Sequence, residues 1–279
     1  MLDLFAIYWV AIVASVLMAS GLAMLGAQLA ARDRTMQTMC FSQGAMLGVL
    51  LGIGLSQAFA FGDSASAMLP LIFAGVAAFA TFILTELLIV RQSVSSNTQF
   101  TAVFALLLSA GYLVSALFPA LENHVTQKYF GDLATMAEGE SWFGVTIGLG
   151  LILISVKFLR VITRDSFRAA IMGQGFSTKS SVGAFSCLSL FTICFSVQVM
   201  GFLFTVASLF IATAILSSGS RLGLHRHVIL VTSVNAIGAF GGFSISLWSS
   251  QLPTVPCIVL AMGLLAVGCR YLRACPKIT

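Results

Sequence analysis

Between Leu4 and Arg273 the chain repeats one pattern, a long apolar run followed by a short polar break. Nine runs stand out: 4–29, 37–61, 67–90, 100–121, 142–163, 182–198, 200–218, 227–248 and 254–273. The stretch 182–218 is continuously apolar but too long for one crossing, so it divides near Met200–Gly201. Runs of this length span a hydrocarbon core of about 30 Å as helices. In lipid each backbone N–H and C=O must pair within its own segment, which favours helices, and the alternation of an outer-membrane barrel is missing. The pattern predicts an all-α, polytopic transmembrane helix bundle of eight or nine spans, forming one domain over residues 1–279.

Composition agrees. The chain is 59% hydrophobic and 8% charged, whereas a water-facing domain carries roughly a quarter charged residues. The net charge of +5 could suggest nucleic acid, but its distribution excludes that reading. All of the 14 Lys and Arg except Lys128 fall on one side of the predicted spans. Asp3, Asp63, Glu122, Asp132, Glu138 and Glu140 fall on the other. Basic residues mark the cytoplasmic side, which places the N-terminus outside and the C-terminus inside. With Asp3 and a full-length first run, the N-terminus reads as an uncleaved helix and not as a secretory signal. The six cysteines show no CxxC spacing and read as apolar filler within spans.

Two linkers carry information. The inner one, 160–181, contains "RDSFRAAIMG". Asp165 is placed to cap a short helix, Phe167, Ala170 and Ile171 share one face, and Gly173 is placed to end it. Such a helix, flanked by Arg164 and Arg168, fits either an anionic lipid surface or a groove on a cytoplasmic partner. The nearby "GQGFSTKS" lacks the glycine that a phosphate loop needs before Lys-Ser, so this chain is not expected to bind ATP. The outer linker, 122–141, is acidic; it reads as a solvated loop, a docking surface or a cation-enriching mouth. Within the spans, Ser42 and Gln43 precede the ladder Gly44, Gly48, Gly52, which allows close helix approach. The polar pair needs partners, which a wet cavity would supply. Glu86 lies well inside a span, within reach of Arg91.

Five stretches, in order, resemble the membrane permease of ABC importers, in the branch that takes up zinc, manganese or iron. They are "RDRTMQTMCFSQGAMLG", "YFGDLATMAEGE", "TRDSFRAAIMG", "MGFLFTVASLFIATA" and "LPTVPCIVLA". The resemblance implies a multi-pass permease of the bacterial inner membrane, not itself an enzyme, working as a homodimer or as a dimer of two similar permeases with one pathway at the interface. It implies cytoplasmic ATP-binding subunits, with ATP and magnesium held there and no cofactor in this chain. It further implies a periplasmic or lipid-anchored solute-binding protein, with Tyr129, Gly131 and Asp132 in the loop facing it. Asp165, Phe167, Arg168, Ala170, Ile171 and Gly173 take the place of the ATPase-coupling segment.

The second span departs from the family pattern. The aspartate and histidine that the family usually carries four residues apart are here Met39 and Gln43. A thioether and an amide hold zinc or manganese poorly. The usual proline of the seventh span is Ala212. The path candidates are Met39, Ser42, Gln43, Gly44 and Gly48. The metal ligands remain open, as do three cargoes: a free cation weakly guided, a metal in a chelate, or another small solute. A proton-coupled secondary carrier would need titratable relays and often shows inverted repeats; only Glu86 qualifies as a relay and no repeat is evident.

Overall fold

The structure is a computed structural model that describes residues 2–59, 63–90, 96–118, 121, 128–131, 133–136, 138–172, 180–217, 223–248 and 252–274. Every regular element among them is helical: α1 Leu2–Ala31, α2 Thr35–Ala58, α3 Asp63–Val90, α4 Ser96–Leu117, α5 Glu138–Met172, α6 Ser180–Met200, α7 Phe202–Ser217, α8 Leu224–Trp248 and α9 Thr254–Ala274. A 3₁₀ turn, Leu133–Thr135, precedes α5. Seven helices among the described residues are long and apolar enough to cross a membrane, while Phe185–Met200 and Phe202–Ser217 are shorter. The division between α6 and α7 falls at Gly201, as expected. Its φ of 92° is open to glycine at little cost.

One expectation fails. The separate coupling helix opening at Asp165 does not form, because α5 runs unbroken from Glu138 to Met172, 35 residues. No glycine or proline occurs from Leu151 to Met172 to interrupt it. Asp165 is therefore interior to a helix and not at the start of one. At 1.5 Å per residue, α5 is about 52 Å long, well beyond a hydrocarbon core.

The helices gather into two compact units. Neither is continuous in sequence. The first holds α1, α5, α7, α8 and α9. Here α1 runs beside α5 in the same direction: the Trp9 and Trp142 rings meet edge to face at 5.6 Å, and Gln28 Nε2 donates to Thr163 Oγ1 at 3.1 Å. Small residues set the close approaches. A Cβ at Gly26 would overlap the Leu209 carbonyl of α7, and Gly242 meets the Ile258 backbone of α9. The Asn235 amide donates to Ser208 O at 2.6 Å, tying α8 to α7.

The second unit holds α2, α3, α4, α6 and a short helical segment at 128–130 that ends at Gly131. Gly44, Gly48 and Gly52 face Thr81, Phe73 and Pro70, so α3 runs antiparallel to α2. Cys40 Sγ donates to Phe100 O at 3.0 Å, and Gly54 lies against Phe118, so α4 runs parallel to α2. Outward faces stay apolar: Met68, Ile72, Val76, Phe79, Ile83 and Leu87 form one exposed stripe along α3. Such a stripe is unsuited to water and suited to lipid.

Candidate translocation site

The polar positions of α2 divide into two groups. At its N-terminal end buried Arg34 and Gln37 form a cluster with the partly exposed Glu86. Arg34 Nη1 lies 3.4 Å from Glu86 Oε1 and donates to Gln37 Oε1 at 2.9 Å. Gln37 Nε2 in turn donates to Glu86 Oε1 at 2.9 Å and to Thr85 Oγ1 at 3.1 Å. Burial lowers the Arg34 pKa, while Glu86 and then Asp33 pull it back up; a guanidinium stays charged under such a balance. Glu86 thus finds its partners on α2, and Arg91, its expected partner, lies outside the described residues.

Two turns further along stands Gln43, fully buried. Its Nε2 donates to Tyr129 Oη at 2.8 Å, and its Oε1 is buried without a partner. Ser42 is also fully buried but spends its hydroxyl on Thr38 O, 2.8 Å away in its own helix. Met39 is half-buried one turn before Gln43. Gly44 and Gly48 are taken up by α3, where a Cβ would overlap Thr81 and the Phe73 carbonyl. The glycine ladder therefore packs two helices of one chain together. Of the expected path residues, Gln43 and Met39 keep side chains that a cargo could meet.

Tyr129 belongs to a short helical segment, 128–130, that ends at Gly131. Tyr129 turns inward, its hydroxyl on Gln43 and its ring edge-on to Phe202 at 6.0 Å. Gly131, with φ 74°, is buried against Gly201. Phe130 is the residue of this segment that is exposed. Asp132 lies outside the described residues. The reason is local: successive side chains of a helical segment point about 100° apart, and the aromatic one gains by burial. The aromatic Tyr129 beside Gly131 was the available signal, hidden by the acidic residues around it.

Asp165, Phe167, Arg168, Ala170 and Ile171 lie on the last turns of α5, and Gly173 lies outside the described residues. Among the described residues no group of three or more His, Cys, Asp or Glu is placed to hold a metal ion. The cysteines at 40, 187, 194, 257 and 269 are free thiols.

A bundle of membrane-length helices with one polar helix face describes a multi-pass transport subunit. The sequence profile of the ABC 3 transport family matches residues 5–272, and the chain belongs to that family. It is thus the membrane permease subunit of an ABC transporter, in the bacterial inner membrane, with ATP hydrolysis residing in a separate subunit. Among curated proteins none matches the chain. Two solved structures share its fold. PsaBC from Streptococcus pneumoniae in complex with Fab is 16% identical with a TM-score of 0.71, covering 98% of this chain and 99% of that one. A protein described as a metal-chelate type ABC transporter in an inward-facing conformation is 14% identical, with a TM-score of 0.52, covering 97% and 87%.

Proposed function

We propose that the chain forms the membrane path of an ATP-driven importer of a divalent transition metal, zinc, manganese or iron, delivered by a solute-binding protein. The single observation that carries the path is Gln43, a fully buried amide with an unpartnered oxygen. It occupies the position where the resembled permeases carry a metal-binding histidine. The family places an ATP-binding subunit and a solute-binding protein beside this chain. We take the assembly to hold two copies of it, with ATP and magnesium in the ATPases and no cofactor here. We take the chain to cross nine times, N-terminus outside, on the strength of its one-sided Lys and Arg. The C-terminal end of α5, from Asp165 onward, is then cytoplasmic and couples to the ATPase. Closure of the ATPases rocks the helices and passes the cargo inward.

A second cargo, a metal held in a chelate, is favoured by one observation: the polar groups meeting at Gln43 are a neutral amide and a phenol. Neutral groups hydrogen-bond a chelate's oxygens readily but hold a bare divalent cation weakly. Deleting the gene and measuring cellular zinc, manganese, iron and copper tests both cargoes. A fall in one metal, restored by supplying either the free ion or its chelate, separates them. Unchanged metal content under limitation for each would overturn metal import.

A further inference from the structure

The first turn of α8 and the last turn of α9 lie side by side at one end of the first unit. Gly242 faces Ile258 and Gly238 faces Met262, so the two helices run antiparallel, and a step of four residues on one answers a step of four on the other. Further along, Cys269 packs against the cluster that holds Val231. The same register brings His227 level with Arg273, and the Arg273 guanidinium is the charged group that acts on His227.

The groups gathered there share one preference. Gly223 opens α8: its carbonyl accepts the His227 N–H at 3.1 Å, and it has no side chain to offer the amides of Leu224, His225 and Arg226. Those three N–H groups have no partner within the helix. A Cβ on Gly223 would meet nothing within 4 Å, so the turn is open. His225, Arg226, Arg270 and Arg273 are exposed. Among the described residues, none of these three arginines makes an ion pair. His227 is 8% exposed, and its Nδ1 is buried without a partner. Side chains of a helix lean toward its N-terminus, so the imidazole is aimed at the open turn. A helix N-terminus flanked by cations and an unused ring nitrogen suits an anion.

Helix length says which anion. α9, 21 residues, is about 31 Å long, the thickness of a hydrocarbon core. Its last turn therefore stands at the level of lipid headgroups, whereas α5, about 52 Å, reaches well past them. Positions beside the charges are apolar and exposed: Ile229 on α8, Leu264 and Leu272 on α9. A soluble partner would meet apolar surface next to these charges, but an anionic phospholipid matches both. We propose that this α8–α9 end binds the phosphate of an anionic phospholipid such as phosphatidylglycerol. The phosphate takes the free amides of α8, Arg226 and Arg273 answer its charge, and the acyl chains lie along the exposed apolar positions of α9. Under the orientation proposed above, the site belongs to the cytoplasmic leaflet.

The test uses the assembled transporter in nanodiscs of phosphatidylcholine and phosphatidylglycerol, and native mass spectrometry counts the lipid that each complex retains. Both leaflets carry the same mixture, so the answer does not depend on orientation. An inverted chain would move the site to the other leaflet and leave it standing. The parent is expected to retain phosphatidylglycerol in preference. Arg226→Gln with Arg273→Gln is expected to lower the affinity for that lipid about thirtyfold, the effect of two cations near an anionic surface. Gly223→Asp keeps every cation and places a carboxylate over the same amides, a favourable helix cap. It is expected to stay folded and to lose the lipid as well. Equal retention of the two lipids by the parent overturns the site, and so does unchanged affinity in both variants. Displacement of the lipid by inorganic phosphate overturns it in favour of a free anion. Loss of the ATPase subunits from the complex in the same variants overturns it in favour of a docking surface.

Discussion

Two residues of the second unit separate transport from stability. Gln43 is fully buried and bonded across to Tyr129, while Gln57, on the same helix, is exposed. Gln43→Ala is expected to change the uptake rate about five- to tenfold, the range for a lost buried hydrogen bond, and Gln57→Ala less than twofold. Equal effects in a radiometal uptake assay would remove Gln43 from the path. Glu86 has a different duty. It receives Gln37 and faces Arg34, whose guanidinium is largely enclosed. Glu86→Gln keeps the shape but removes the countercharge. A cost of about 1–2 kcal/mol is expected, discounted because Glu86 is partly exposed. Thermal unfolding in detergent reads that loss, and a midpoint equal to the parent's would deny the cluster a structural role.

At the scale of elements, the α2–α3 contact depends on missing side chains. A Cβ at Gly48 would overlap the Phe73 backbone, which cannot move as a side-chain tip can. Gly48→Val is expected to destabilise by about 1–3 kcal/mol, the usual cost of forced overpacking. The measurement is the yield of folded protein and its unfolding midpoint; full stability would show that α3 yields freely. The end of α5 belongs to coupling. Because α5 continues through Met172, Asp165→Pro breaks a helix interior, at about 3 kcal/mol locally, and severs the terminal turns from the span. Phe167→Asp keeps a helix-compatible residue but adds a charge near the end of α5. Both are expected to abolish ATP-driven uptake while insertion and expression persist. Normal uptake in the pair would take coupling away from this segment.

At the scale of the molecule, the one-sided basic residues make a single statement about topology. Arg168→Cys is expected to react with an impermeant thiol reagent in inside-out vesicles and not in intact cells. The reverse labelling would invert the chain and place the 128–130 segment on the cytoplasmic side.

The all-helical fold, the break at Gly201 and the membrane setting were legible in residue order, because crossing lipid forces each segment to satisfy its own backbone. Lipid exposure demands apolar residues, glycine permits φ of 92°, and both marks are local. The partners of polar groups were not legible. Glu86 pairs with residues 49 and 52 positions away, and Gln43 with one 86 positions away. Such pairings depend on which helices run parallel and at what level they meet. The inward Tyr129 and the packing use of Gly44 and Gly48 follow from that arrangement. Hydrophobic order is written along the chain, whereas the partner of a buried hydrogen bond exists only after the helices have packed.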